Sequence, residues 1–420
     1  MYITYYTWLL GICKFIDYVI MIYRGSKMVI VIGGGPAGMM AAIAAGQNHQ
    51  VLLLEKQSSL GRKLLMTGNG RCNLTNDRSI QEFISDCYGE TKFLFSHLHR
   101  FGPEKIVSFF EERHCPLILE NHRYYPKSMK ARDILKVLEN ELSKKVQVRT
   151  NACVQRILIK DNRVHGIEVD HQVIPCEHLI LATGGLSYPT TGSTGDGYRW
   201  LAEMQHEISD LFASEVGLIS DDDFIREIVG ISLKETMVSV WVDDKRLVSA
   251  TGDLIFTHQG ISGPVILDLS YQVIVNLREN KKVKLELELL QEDLKFNHNQ
   301  TIKNYLETLL PNRLVSLILK LTTIDAKTVV NQLKREESQS LQEIVRGLKI
   351  NIVDSLPIEK AVVTAGGLKL SEVDPKSLKS KRIANLSICG ELLNVVGPVG
   401  GYNLTIALAT GYGAGSSINL

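Results

Sequence analysis

The sequence has no pair of cysteines in C-x-x-C spacing. Its seven cysteines stand at positions 13, 72, 87, 115, 153, 176 and 389. That scatter signals neither a zinc site nor a thioredoxin-like dithiol. It excludes electron relay through a near-neighbour dithiol, and unpaired thiols point to the reducing cytoplasm. Net charge is also lacking. Lys plus Arg number 47 against 46 Asp plus Glu, so the basic footprint of a nucleic-acid binder is absent. A small-molecule substrate is expected, and no nucleic acid. There is no internal repeat and no low-complexity tract. Only one clear nucleotide fingerprint is present, so a dedicated second nucleotide domain is not expected.

Residues 1–27 stand apart. The stretch is aromatic and aliphatic, with Lys14 and Asp17 near its middle. Two charges at mid-span are costly in a bilayer, and no small-residue cleavage site precedes Met28. The segment is expected to be an extension ahead of a start at Met28, with a membrane-associated segment as the alternative.

From Met28 the pattern is that of a βαβ unit. Val29–Ile32 and Val51–Leu54 are short apolar runs, as expected of buried parallel strands. Met39–Gln47 between them is rich in Ala and Met, good helix formers. A helix is expected over Arg132–Leu142, and strands over Val146–Arg149, Val154–Ile159, Val164–Val169, Val173–Pro175 and Leu179–Ala182. Alternating β segments follow from about 215 to 290: Thr236–Val242, Arg246–Val248, Val273–Leu277 and Val283–Leu289. Helical periodicity then covers Ile302–Leu309, Leu314–Leu321, Ala326–Leu333 and Leu341–Leu348. The end returns to α/β style, with a strand over Ile383–Cys389 and a helix over Asn403–Ser417.

Four motifs carry chemistry. The first is Gly33-x-Gly35-Pro36-Ala37-Gly38, with Glu55 after the next strand. Glycine permits the tight turn at the first position, backbone approach to a diphosphate at the second, and helix–strand packing at the third. The helix start supplies free N–H groups and partial positive charge. Glu55 can accept hydrogen bonds from an unphosphorylated ribose, which favours FAD or NAD over NADP. A glycine turn serving packing alone is the alternative. The second is Gly61-Arg-Lys-Leu-Leu-Met-Thr-Gly-Asn-Gly-Arg-Cys-Asn-Leu-Thr-Asn76. Its glycines let the chain close round a flat ligand, and Lys63 and Arg71 can pair with phosphate or an anionic ring. A solvated turn-rich loop is the alternative, and Cys72 without a partner suits a small buried residue better than a redox thiol. The third is Thr183-Gly184-Gly185 at the end of a buried strand, where ligands of α/β sheets bind. Ser187, Tyr188, Thr194 and Asp196 follow it. The fourth is Gly390-Glu391, then Gly397-Pro-Val-Gly400-Gly401-Tyr402-Asn403 before a helix. A second glycine-flanked helix start can stabilise the negative charge of a reduced flavin. This pairing of motifs favours FAD over NAD.

Together with Ser187-Tyr-Pro189, Phe256-Thr-His-Gln-Gly-Ile-Ser-Gly-Pro264 and Thr364-Ala-Gly-Gly367, these runs resemble a bacterial family of NAD(P)/FAD-dependent oxidoreductases. Members have been called aminoacetone oxidases or bile-acid-pathway flavoproteins. The resemblance spans Met28 to the C-terminus. It implies an α/β architecture: a Rossmann-like FAD-binding domain of the glutathione-reductase type over 28–214 and 358–420. A β-barrel-like domain would be inserted over 215–292 and 348–357, and a small helical domain over 293–347. It implies that FAD is held by the fingerprint, by Lys56, Arg62, Lys63, Gly68, Asn69, Gly70, Arg71, Cys72 and Asn73, by Val154, by Thr183–Gly185, and by Gly390, Glu391 and Gly400–Leu404. The family typically has Asp where this chain has Asn394, which removes a charge without excluding FAD. The expected function is hydride passage between an organic substrate or NAD(P)H and FAD, with NAD(P)H as a transient donor. Alternatives are a peroxide-forming oxidase of small amines or amino ketones, and a non-catalytic flavin-binding redox sensor. His258 is the candidate general acid or base, with a purely structural histidine as the alternative. No metal site is expected.

Overall fold

The computed structural model describes residues 28–296 and 299–419. The expectations for 1–27 lie outside the described residues. The chain divides into two compact units, one of 28–212 with 363–420 and one of 213–362.

The first unit is built on a five-stranded parallel sheet. Its order is Leu386–Ile388, His178–Leu181, Met28–Ile32, Gln50–Leu54, Val146–Arg149. Val29–Val31, Leu53 and Leu179–Leu181 are fully buried, as near-continuous apolar strands covered on both faces must be. The chain leaves Met28–Ile32 toward Gln50–Leu54 on one side and returns to His178–Leu181 on the other. The switch point therefore falls at the carboxyl end of Ile32, where such sheets bind ligands.

Helix Pro36–Ala45 is buried from Ala37 to Ala45. Small residues are what let it sit there. The C-terminal helix Tyr402–Ser416 crosses it so closely that a Cβ on Gly411 would lie 2.2 Å from Ala37 O, and one on Gly415 2.2 Å from Ala41 O. A three-stranded antiparallel sheet (Val154–Lys160, Arg163–Val169, Gln172–Pro175) completes the unit. Its two-residue turns, Asp161-Asn162 and Asp170-His171, all have φ between 51° and 61°, as tight hairpins of primed type require.

The second unit holds a seven-stranded sheet. Its long hairpin, Ser232–Val242 with Lys245–Phe256, turns at Asp243-Asp244, again in the left-handed region. The end members of the sheet order are Leu348–Ile352 and Asp354–Ser355, which are consecutive in the chain. Helices Ile302–Glu307, Asn312–Thr322 and Arg335–Arg346 belong to the same unit.

Three expectations fail locally. Val273–Leu277 is not a strand but the end of helix Pro264–Arg278. Val265, Ile266, Leu269, Val273 and Ile274 are its buried positions, a helical period that outweighs the β-branched cluster. Ala326–Leu333 is not a helix; only the single turn Val330–Gln332 forms. There Thr328 N–H closes a turn on Asp325 O and Val329 bridges to Thr301. The strand expected over Ile383–Cys389 shortens to Leu386–Ile388. Asn385 instead lies buried, with its amide donating to Val164 O (2.7 Å) and Glu177 O (2.8 Å).

Candidate active site

The first unit contains a cleft of about 920 Å³, counting its open mouth. It is lined by Gly33, Gly35, Pro36, Ala37, Glu55, Lys56, Arg62, Lys63, Val154, Thr183, Gly184 and Glu391, among others. The fingerprint glycines divide their labour as their spacing predicts. Gly33 has φ +112°, and a Cβ there would strike Ala182 O at 2.3 Å. A Cβ on Gly38 would strike Gly33 O at 1.8 Å. Gly35 has no atom within 4 Å of such a position, so its bareness faces open space rather than protein. Helix Pro36–Ala45 begins there with no side-chain cap and no acid in its first turn. Its first N–H groups are offered to an anion. Glu55 holds the turn: Oε2 accepts from Gly34 N–H and Oε1 from Gln57 N–H, each at 2.7 Å.

Further along the cleft, Lys56 pairs with Asp196 at 2.6 Å and donates to Thr194. Burial pushes the Asp196 carboxyl up, but the Lys56 hydrogen bond and charge outweigh it and leave it below its ordinary range. Thr183 Oγ1 and Trp200 Nε1 both belong to cleft residues, and both are buried without a hydrogen-bond partner. Thr183 Oγ1 packs against Gly197. The bare backbone at Gly35, the uncapped helix start and the Glu55 carboxylate fit the diphosphate and adenosine of a dinucleotide.

At the other end of the cleft Glu391 gathers three chain segments. Its carboxylate accepts from Lys63 Nζ (3.1 and 3.2 Å), Gly185 N–H (3.1 Å), Ser187 Oγ (3.2 Å) and Thr364 N–H (2.8 Å). Lys63 also donates to Ser187 Oγ at 2.6 Å. Tyr198 OH donates to Glu391 O at 2.8 Å; burial first, then the Glu391 charge, raises this phenol well above its ordinary value. Thr364 Oγ1 in turn accepts from Leu186 and Ser187 N–H. Gly390 makes the turn that points Glu391 here, with φ +73° and its N–H bound to Thr410 Oγ1.

The remaining predicted residues form a separate cluster in the same unit. Gly68, Asn69, Gly70 and Cys72 all have positive φ, so the Gly68–Asn73 loop is a chain of left-handed turns. Side chains beyond it stitch the loop to the C-terminal helix. Asn76 Nδ2 donates to Gly400 O (3.0 Å) and Thr405 Oγ1 donates to Thr75 Oγ1 (2.8 Å); with its amide oxygen assigned toward Gly401, Asn73 accepts from Gly401 N–H (3.2 Å). Cys72, Tyr402 and Asn403 turn inward. Cys72 is fully buried, and burial pushes its thiol up to about 12, so it is no thiolate. Tyr402 packs on Phe83 and donates to Asp86 at 2.5 Å. Asn403 closes the preceding loop by a reciprocal pair of bonds to Gly397. Leu404 packs on the core. His258 lies in the second unit, exposed in the turn before Gly260–Ser262.

Trp200 and Thr364 were not singled out as site residues. Trp200 sits four residues beyond Asp196 on helix Asp196–Glu203, a same-face spacing that was readable. Thr364 lies far in sequence from everything it binds, and no local signal marks its role.

A nucleotide fingerprint at a sheet switch point, closed from the far end of the chain by a glycine loop and helix, defines an FAD-binding Rossmann oxidoreductase. The chain belongs to the HI0933-like family, whose Rossmann-domain model matches residues 27–417. It is 32% identical over 403 residues to the 3-dehydro-bile acid delta(4,6)-reductase of Clostridium scindens, covering 92% of this chain and 97% of that one. It is 28% identical over 411 residues to the ribosomal RNA dihydrouridine synthase of Haemophilus influenzae, covering 93% and 98%. Its fold is similar to that of 3-ketosteroid delta1-dehydrogenase from Sterolibacterium denitrificans, with a TM-score of 0.52, 14% identity, and 93% and 99% of the two chains covered. Among the described residues no helix is long and apolar enough to cross a membrane.

Proposed function

We propose that this chain is an FAD-dependent reductase of a carbon–carbon double bond conjugated to a carbonyl, taking its electrons from transient NAD(P)H. Bound FAD supplies the hydride chemistry, and the protein positions and tunes it. The observation that carries the cofactor is Gly35, whose α-carbon faces empty space at an uncapped helix start. In this reading Gly35 and the first turn of Pro36–Ala45 cradle the diphosphate, and Glu55 accepts from the adenosine ribose. Glu391 and Ser187 hold the Lys63 side chain beside the ring-binding loops. The start of helix Tyr402–Ser416, with no acid in its first turn, adds partial positive charge at the flavin end.

The reaction class is supported by the two relatives. Each name describes hydrogen added across a double bond next to a carbonyl, in a dienone steroid and in uracil. The balance of 47 cationic against 46 acidic residues favours a small molecule over ribosomal RNA here. The second unit is proposed as the inserted barrel-like and helical region, and the cytoplasm as its place of work.

The test is anaerobic. Purified protein is reconstituted with FAD, mixed with NADH or NADPH, then with a steroid 4,6-dien-3-one. Bleaching by the nicotinamide and recovery of the flavin band with the dienone are expected. Failure to retain FAD at all sinks the cofactor. Recovery only with oxygen, with peroxide formed, would make the protein an oxidase. Recovery only with unmodified ribosomal RNA would overturn the small-molecule assignment.

A further inference from the structure

Two arginines beside the Gly68–Asn73 loop have no acidic partner among the described residues. Strand Arg123–Pro126 pairs with Thr75-Asn76, placing Arg123 opposite Asn76. Side chains alternate along a strand, so Arg123 and Tyr125 share one face. Arg71 lies over the Tyr125 ring at 5.4 Å and donates from Nε to Gly68 O at 3.3 Å. Arg123 reaches the other loop: its Nε is 3.6 Å from where a Cβ on Gly400 would stand. The guanidinium groups thus flank the two glycine loops that Asn73 and Asn76 tie together. The acids nearby are engaged elsewhere. Asp77 pairs with His122 at 2.9 Å, and Asp86 with Tyr402 and Arg78. Glu120, opposite Arg123 in its hairpin, forms no ion pair with it.

Two cations with no counter-charge, one of them held by an aromatic ring and a backbone carbonyl, form a place for an anion. Guanidinium suits planar, bidentate recognition of carboxylate or phosphate. We propose that Arg71 and Arg123 bind an anionic group, a carboxylate or phosphate, carried by the small molecule that meets the flavin. The proposal rests on the reading above that these loops meet the flavin ring. It makes the substrate, or the donor, an anion gripped at a distance from the reacting carbons.

The test uses FAD-loaded protein and its Arg71→Gln, Arg123→Gln and Arg123→Lys variants. FAD content is measured first. Calorimetry then measures binding of a steroid 4-en-3-one bearing a side-chain carboxylate, and of its methyl ester. Stopped flow measures reduction by NADH. For a substrate carboxylate, each Gln variant weakens the acid about tenfold, roughly one charge-assisted hydrogen bond, and Arg123→Gln leaves the ester and the NADH rate unchanged. Arg123→Lys restores part of the loss, because charge returns without the fork. For a donor phosphate, the Gln variants raise the NADH concentration needed for half-maximal reduction, and binding of the acid is untouched. Normal FAD content with acid, ester and NADH all unaffected overturns the anion site alone. Wild-type protein that retains no FAD overturns the flavin reading and this proposal with it.

Discussion

The two units of the chain spend their residues differently. Only six of the 33 glycines fall in 213–362; the rest are outside it. In the first unit glycines remove side chains where backbones must touch, and buried or half-buried polar groups join distant segments. Glu391, Asn385, His178 and Thr405 all work this way. The second unit is stabilised by an apolar sheet face and amphipathic helices, with ion pairs such as Lys320–Glu227 and Lys284–Asp244 at its surface. The contrast teaches that a cofactor site is bought with local stability rules broken, while a unit free of that demand can follow them.

Substitutions should break this comparison unequally. Gly38→Ala is the largest, because a Cβ 1.8 Å from Gly33 O forces helix and turn apart. A loss of more than about 3 kcal/mol, or no soluble protein, is expected by urea titration. Gly35→Ala sharpens the case. Its Cβ meets nothing, so apoprotein stability should stay within about 0.5 kcal/mol of wild type while FAD affinity falls at least about tenfold. Equal destabilisation by both would mean that Gly35 serves packing alone.

Glu391→Gln comes next. It removes the charge facing Lys63 and turns one acceptor oxygen into a donor facing N–H groups. About 2–3 kcal/mol of stability should be lost, by the cost of orphaned partly buried polar groups. Weakened FAD retention is the second readout. Glu286→Gln on the exposed side of the second unit's sheet is the control for that comparison, and should leave FAD retention alone.

Acid should separate the units more gently. All the buried histidines among the described residues, 97, 178 and 206, are in the first unit. Burial is the main cause that depresses each, His97 to about 4 and His178 to about 3. They stay neutral when folded, whereas the unfolded chain takes up protons below about 6.5. Their contribution is therefore complete above that pH and is lost as pH falls toward the folded values. Between pH 7 and 5, where carboxylates remain largely ionised, protection against hydrogen exchange, corrected for the intrinsic rate at each pH, should fall in the first unit before the second. Identical pH profiles would refute this. The smallest effect is Lys320→Ala, which opens an exposed pair and should change stability by no more than about 0.5 kcal/mol in a thermal melt.

Much of the site was legible because its signals are local. Gly33, Gly35, Gly38 and Glu55 lie within one βαβ unit, and strand, turn and helix impose their spacing directly. Lys56, Lys63, Val154 and Thr183 also line the cleft. The roles of Cys72, Tyr402 and Asn403 were not legible. Side-chain direction in a loop of left-handed turns, or at a helix start, depends on neighbours from elsewhere in the chain. Val273–Leu277 misled for a related reason: a β-branched cluster fits strand or helix until the buried face is known.

The sequence by itself determined the fingerprint, the two glycine loops, the buried strands and the family to which they belong, because each depends on residues close together in the chain. Tertiary structure alone decided that Glu391 would gather Lys63, Gly185, Ser187 and Thr364, and that Arg71 and Arg123 would flank the two glycine loops without an acidic partner. Those groupings join positions 27 to 328 residues apart, and no local pattern encodes which distant partner a charge will meet.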